Sequence, residues 1–149
     1  MQVPPFFDAV PPVAMRDPLA ETLGAAYDGI IEYGYVDAVK LAGHSCPTVA
    51  GAWLMTVKAL ARLYGDELPR RGEVRVELQQ PHDEGVAGVI GNVAGLLTGA
   101  AGDGGFKGLA GRFSRRGLLA YGAPIDGDIR YTRTDTGNSV EVAYHPEIV

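Results

Sequence analysis

Residues 42–65 read AGHSCPTVAGAWLMTVKALARLYG, and the reading of the fold starts there. From Thr48, or the residue before it, Val49, Trp53, Val57, Leu60 and Tyr64 recur on one face of a helix that Gly65 closes. It is the strongest helical pattern in the chain. The polar turn DELPRRGE follows, and then the period changes from 3.6 to 2. Val74, Val76 and Leu78 alternate with Arg75, Glu77 and Gln79, which predicts a half-buried strand. The strand runs into Gln80-Pro81-His82-Asp83-Glu84. A second helix is expected over residues 83–97, with acids in its first turn and Val86, Ile90, Val93 and Leu97 on its apolar side.

Gly85, Gly88, Gly95 and Gly99 make another stripe on that helix, which Asn92 completes. Each glycine costs a helix up to about 1 kcal/mol relative to alanine. The stripe therefore implies close approach by another backbone or element, or by something flat. Residues 99–111, GAAGDGGFKGLAG, read as a loop. They match no phosphate-binding GxxxxGK[ST] pattern and do not follow a strand as a dinucleotide fingerprint should. Strands are expected over 117–121, 129–133 and 140–144, the last two joined by the hairpin signal TDTGN.

Upstream, residues 1–16 carry four prolines together with Phe6 and Phe7. They read as an extended arm lying across the domain or onto a second subunit. Asp17-Pro18 is a helix start, and Leu19, Leu23, Ala26 and Ile30 follow at helical spacing. A short helical piece spans 35–42. The expectation is an arm over 1–16 and one α+β domain over 17–149. The domain has a mixed sheet packed with helices in the order α-β-α-β-β-β, preceded by an N-terminal helical extension. The end of the chain soon after His145-Pro146 leaves room for a natural C-terminal extension.

Composition fits a folded domain: 149 residues, 46% apolar and 21% charged, with 21 glycines, about twice the usual share. The net charge is −5. Arg112, Arg115 and Arg116 sit close together, but nucleic-acid binding needs a broader positive surface. A single cysteine precludes an internal disulfide and fits a reducing compartment. The N-terminus lacks the pattern of a signal peptide, and no apolar run reaches membrane-spanning length. The expected location is the cytoplasm.

The chemistry concentrates in Gly43-His44-Ser45-Cys46-Pro47. The only cysteine stands two residues from one of three histidines, just ahead of the strongest helix. Thiolate and imidazole are ligands for zinc and similar divalent ions. The helix N-terminus favours negative charge and so lowers the pKa of a thiol placed on it. His82 stands at a second loop-to-helix corner. With His44 and Cys46 it makes a three-ligand metal set with one open position, which Asp83 or Glu84 would fill, orient or serve as base. Two other readings compete. Cys-Pro also suits an axial haem ligand, with the glycine stripe as a flat wall and Trp53, Tyr64 and the arm phenylalanines as apolar contacts. Alternatively Cys46 is inert and the chain is a non-catalytic dimerisation module.

The run GHSCPTVAGAWLMTVKAL resembles the core motif of the FmdE family, named for formylmethanofuran dehydrogenase, which is usually GHxCPG followed by a helix. The likeness continues through VRVELQQ, the second corner and GDGGFKGLAGRF, covering roughly residues 36–121. It implies an α+β domain with a mixed sheet, a metal, often zinc, at His44 and Cys46, a homodimer, and association with a redox enzyme. This chain departs from the family pattern at Ala42, where a second His is frequent, and at Thr48, where Gly is usual. His82 stands where a Cys is common, and the paired-cysteine tail of some members is absent. The resemblance does not specify whether the domain is an enzyme.

Overall fold

In the computed structural model, which describes residues 1–144, α3 (Pro47–Tyr64) lies against a four-stranded sheet and buries more apolar side chains than any other element among the described residues. Its start follows from sequence: Cys46 is the N-cap in extended conformation and Pro47 occupies the first helical position, where its missing N–H costs nothing. Val49, Ala52, Trp53, Met55, Thr56, Ala59, Leu60 and Tyr64 are buried along it.

The sheet has the order β4-β3-β5-β6, formed by β3 (Val74–Leu78), β4 (Leu119–Ala120), β5 (Ile129–Arg133) and β6 (Ser139–Val142). Strand β3 pairs parallel to β4 and antiparallel to β5, and β5 pairs antiparallel to β6, so the sheet is mixed. Val74, Val76 and Leu78 point into the core, as their alternation predicted, opposite Arg133, Tyr131 and Ile129 of β5. With α4 (Ala87–Thr98), the order α3-β3-α4-β4-β5-β6 is the expected core, and the fold class is α+β.

One apolar cluster fills the space between sheet and helices around Met55, Leu60, Val76, Ala94, Ile129 and Tyr131. A second surrounds Trp53, with Phe7, Tyr35, Val39, Val49, Val93 and Leu97. Phe6, Phe7, Tyr35 and Trp53 form a run of edge-to-face aromatic pairs with centroids 4.7, 5.3 and 6.0 Å apart. This is the geometry that ring quadrupoles favour. Residues 1–16 thus lie across their own domain. Pro5–Ala9 forms a 3-10 turn that buries Phe7, and β1 (Val13–Arg16) buries Met15.

Four expectations change. The helix expected to run from Asp17 toward Ile30 stops early: α1 is only Pro18–Thr22, and Leu23 and Ile30 are 62% and 48% exposed. Ile30–Tyr33 instead forms β2, which pairs antiparallel with β1, so the helical extension shares the N-terminal region with a two-stranded sheet. Pairing with a neighbouring strand satisfies backbone groups that a lone amphipathic turn leaves to water, and it overrides a four-residue spacing match. Helix α4 begins at Ala87 rather than Asp83, and residues 83–86 form turns before it. Strand β6 ends at Val142 rather than residue 144, and the strand expected over 117–121 shrinks to Leu119–Ala120.

Within the expected stripe, Gly95 serves close packing, since a Cβ there would lie 2.8 Å from the Ala100 carbonyl oxygen, whereas Gly88 has room for one. Gly91, a helix glycine outside that stripe, is also packed tightly: a Cβ there would strike the ring of Tyr121. Gly85 lies outside the helix, and Gly99 is its left-handed C-cap.

Candidate functional site

Helix α2 (Tyr35–Ala42) ends at Gly43, whose φ of +80° is the left-handed conformation that turns the chain out of a helix. Three residues later Cys46 starts α3. The link between the helices is therefore only His44 and Ser45, a corner too short to separate the imidazole from the thiol. Tyr35 of α2 braces it: its hydroxyl lies 2.8 Å from the Ser45 hydroxyl in a shared hydrogen bond.

At this corner His44 is exposed and Cys46 half-buried. His44 Nδ1 lies 3.1 Å from the Ala42 carbonyl oxygen. A carbonyl only accepts, so Nδ1 carries the proton and the neutral ring keeps its lone pair on Nε2. That bond, together with the Cys46 sulfur beside the ring, holds His44 above its ordinary value of 6.5. Cys46 is shifted the opposite way. The backbone N–H of Val49 is the largest influence, helped by Thr48 N–H and by His44, and together they outweigh burial and hold the thiol below 9.0. The sulfur closes no capping hydrogen bond, so it faces the second and third helical N–H groups as a nearby charge rather than as a formed cap. Both shifts favour a thiolate beside an imidazolium.

Two depressions flank the pair. One, of about 250 Å³, is lined by Cys46, Phe6, Val10, Tyr35, Trp53 and Leu54. The other, of about 130 Å³, places His44 against Val89, Asn92 and Val93 of α4.

His82 is elsewhere. Its ring meets Tyr121 edge-on at 6.1 Å, in a depression shared with Gly88, Asp103 and Leu119. Gly88 and Gly91 mark the side of α4 that faces His82 and Tyr121, whereas Val89, Asn92 and Val93 face His44. Successive helix residues point about 100° apart, so the two histidines face different sides of α4. Asp83 and Glu84 are exposed in the turn before α4. Among the described residues, no three His, Cys, Asp and Glu side chains come together as a metal-holding group. The chain joins His44 to Cys46 and does not add His82, Asp83 or Glu84 to them.

The apolar contacts expected for a haem are partly present: Phe6 and Trp53 line the depression beside Cys46. Tyr64 is instead buried under the guanidinium of Arg133, 4.1 Å above its ring. The glycine stripe is not a bare flat wall: the Ala100 carbonyl oxygen lies against Gly95, and Arg71 and Arg115 lie against Gly99. The roles of Tyr35, Ser45 and Asn92 were not legible in the sequence, since each depends on how α2 and α4 pack on α3.

Comparison with protein-family models, with curated proteins and with solved structures gives no match. Among the described residues, no helix is long and apolar enough to cross a membrane.

Proposed function

We propose that this chain is a small metal-binding protein of the reducing cytoplasm that captures a thiophilic divalent ion, such as zinc, between Cys46 and His44. One observation carries the reading: the thiol and the imidazole stand at one solvent-facing corner, where the α3 N–H groups and His44 favour the thiolate that binds soft metal ions, and an arriving ion displaces the proton that His44 holds. The donor chemistry fits zinc, with a thiolate from Cys46 and the free Nε2 of His44 as ligands. Two donors do not complete a tetrahedral ion, so further ligands come from solvent, from a partner protein or from a second copy of the chain. The resemblance to the FmdE family supports a homodimer and a redox partner on the same terms. When bound, such an ion supplies a Lewis acid. The chain's own part is to favour the thiolate of Cys46 at the α3 N-terminus and to hold an apolar group against Trp53 and Leu54.

Zinc titration of the reduced protein, followed by metal analysis and by Cys46 alkylation, tests this reading. Stoichiometric zinc that protects Cys46, lost in Cys46→Ser and weakened in His44→Gln, is the expected result. Failure to take up zinc, nickel or iron, with alkylation indifferent to all three, sinks it. A Soret band on the same sample would replace it with haem binding.

A further inference from the structure

Away from this chemistry, Asp17 gathers two arginines. Its carboxylate takes Arg115 Nη2 at 2.6 Å and Arg71 Nη1 at 3.1 Å, with the side chains only 5%, 11% and 17% exposed. Arg71 is fixed further by the Leu96 carbonyl, which accepts from its Nε and Nη2 at 3.0 and 2.8 Å. These ties hold both guanidinium groups at the wall of a depression of about 320 Å³, whose rim carries Arg70 and Arg112. Arg70 reaches Glu73 at 3.4 Å, and Arg112 lies over the Phe113 ring at 4.6 Å.

Four guanidinium groups thus meet two carboxylates, Asp17 and Glu73, and two positive charges are left over in a chain whose net charge is −5. The Nε of Arg115 is buried and has no hydrogen-bond partner, which is costly for a charged donor. Gly72, on the wall of the same depression, packs against it: a Cβ there would lie 3.1 Å from that nitrogen. The remaining wall includes Leu19 and Phe113, apolar surface beside the charged groups.

We propose that this depression binds a small phosphate monoester. The doubly charged phosphoryl group is taken by Arg70 and Arg112 at the rim, with Arg71 and Arg115 adding positive charge from the wall, and the organic part rests on Phe113 and Leu19. A planar guanidinium fork matches a phosphoryl group better than any other side chain does. The excess of two charges matches a dianion rather than a monoanion such as a sulfate ester.

The test is calorimetric titration of the full chain at low salt with phenyl phosphate, inorganic phosphate and phenyl sulfate. Phenyl phosphate binds most tightly, inorganic phosphate binds more weakly because it lacks the ring, and phenyl sulfate is weaker than phenyl phosphate by about tenfold or more. Arg112→Gln, and Arg70→Gln with Arg112→Gln together, weaken phenyl phosphate binding by about tenfold or more, while Arg116→Gln, outside the depression, leaves it unchanged. Arg112 is exposed, so the single variant reports on binding if the double variant does not fold. No binding of phenyl phosphate, equal binding of phenyl sulfate, or an Arg112→Gln protein that binds as the parent does overturns the proposal.

Discussion

Asp17 and Arg115, 98 positions apart in the chain, meet at 2.6 Å between Asp17 Oδ1 and Arg115 Nη2. The same carboxylate accepts from the Leu19 and Ala20 N–H groups at the start of α1. One buried side chain therefore caps a helix and ties the N-terminal region to the loop before β4.

Asp17→Asn separates these roles. Asparagine caps a helix as well as aspartate does, so α1 keeps its start. Arg115 and Arg71 lose their counter-charge while staying largely shielded from water, and the variant is destabilised by about 3 kcal/mol at neutral pH in urea unfolding. Burial opposes ionisation of Asp17, but the Ala20 N–H, Arg115 and Arg71 outweigh it and hold the carboxyl below its ordinary 3.8. A lowered carboxyl stabilises the fold fully above 3.8 and ceases to do so as pH falls through its folded value. The gap between parent and variant is thus full at neutral pH and closes in acid. A gap that does not change with pH would show that the loss is not the ion pair.

Cys46 reacts with iodoacetamide as its thiolate, so its rate against pH has a midpoint below the ordinary thiol value of 9.0. His44→Gln raises that midpoint, because the imidazolium no longer favours the thiolate. The raised His44 contributes to stability below 6.5 and loses that contribution as pH rises through its folded value. The lowered Cys46 contributes above 9.0 and loses it as pH falls through its own. An unchanged midpoint in His44→Gln would uncouple the pair.

Alanine at two glycines of α4 gives opposite results. At Gly88 the nearest atom to a new Cβ is the His82 carbonyl oxygen at 3.7 Å, so the helix gains up to about 1 kcal/mol from the better helix former. At Gly95 the Cβ meets the Ala100 carbonyl oxygen at 2.8 Å. That atom is backbone and cannot rotate away, so overpacking outweighs propensity and the variant loses about 1–3 kcal/mol. Thermal unfolding of both proteins decides it, and a stabilised Gly95→Ala would contradict the packing described.

Tyr131 of β5 and Thr56 of α3 are fully buried, and their hydroxyls lie 2.8 Å apart. Tyr131→Phe removes one partner. Thr56 can turn its hydroxyl to a carbonyl of its own helix, which limits the loss to about 1 kcal/mol in urea unfolding. Burial pushes the Tyr131 phenol far above the ordinary value of 10.0, so alkaline titration of the folded parent shows no ionisation from this residue. If it ionises with the exposed tyrosines, the site is open to water.

Helix α3, strand β3 and the hairpin of β5 and β6 were legible because each repeats apolar residues at one period long enough to fix a face. The α1 region was not, because Leu19, Leu23, Ala26 and Ile30 match a helix over too few turns to compete with strand pairing. The adjacency of His44 and Cys46 was written in the sequence: a left-handed Gly43 and a proline one position after the cysteine leave the corner almost no length. Whether His82 joins them was not, since that depends on which side of α4 each histidine faces.

The sequence by itself determined the α+β core and the placing of the thiol at a helix N-terminus, because hydrophobic period, capping and turn chemistry act over neighbouring residues. Only the tertiary structure decided that His44 and His82 face different sides of α4. It alone also gathered Arg70, Arg71, Arg112 and Arg115 around one depression. These two pairs stand some forty residues apart, and the packing of the whole core, rather than any local rule, sets where they meet.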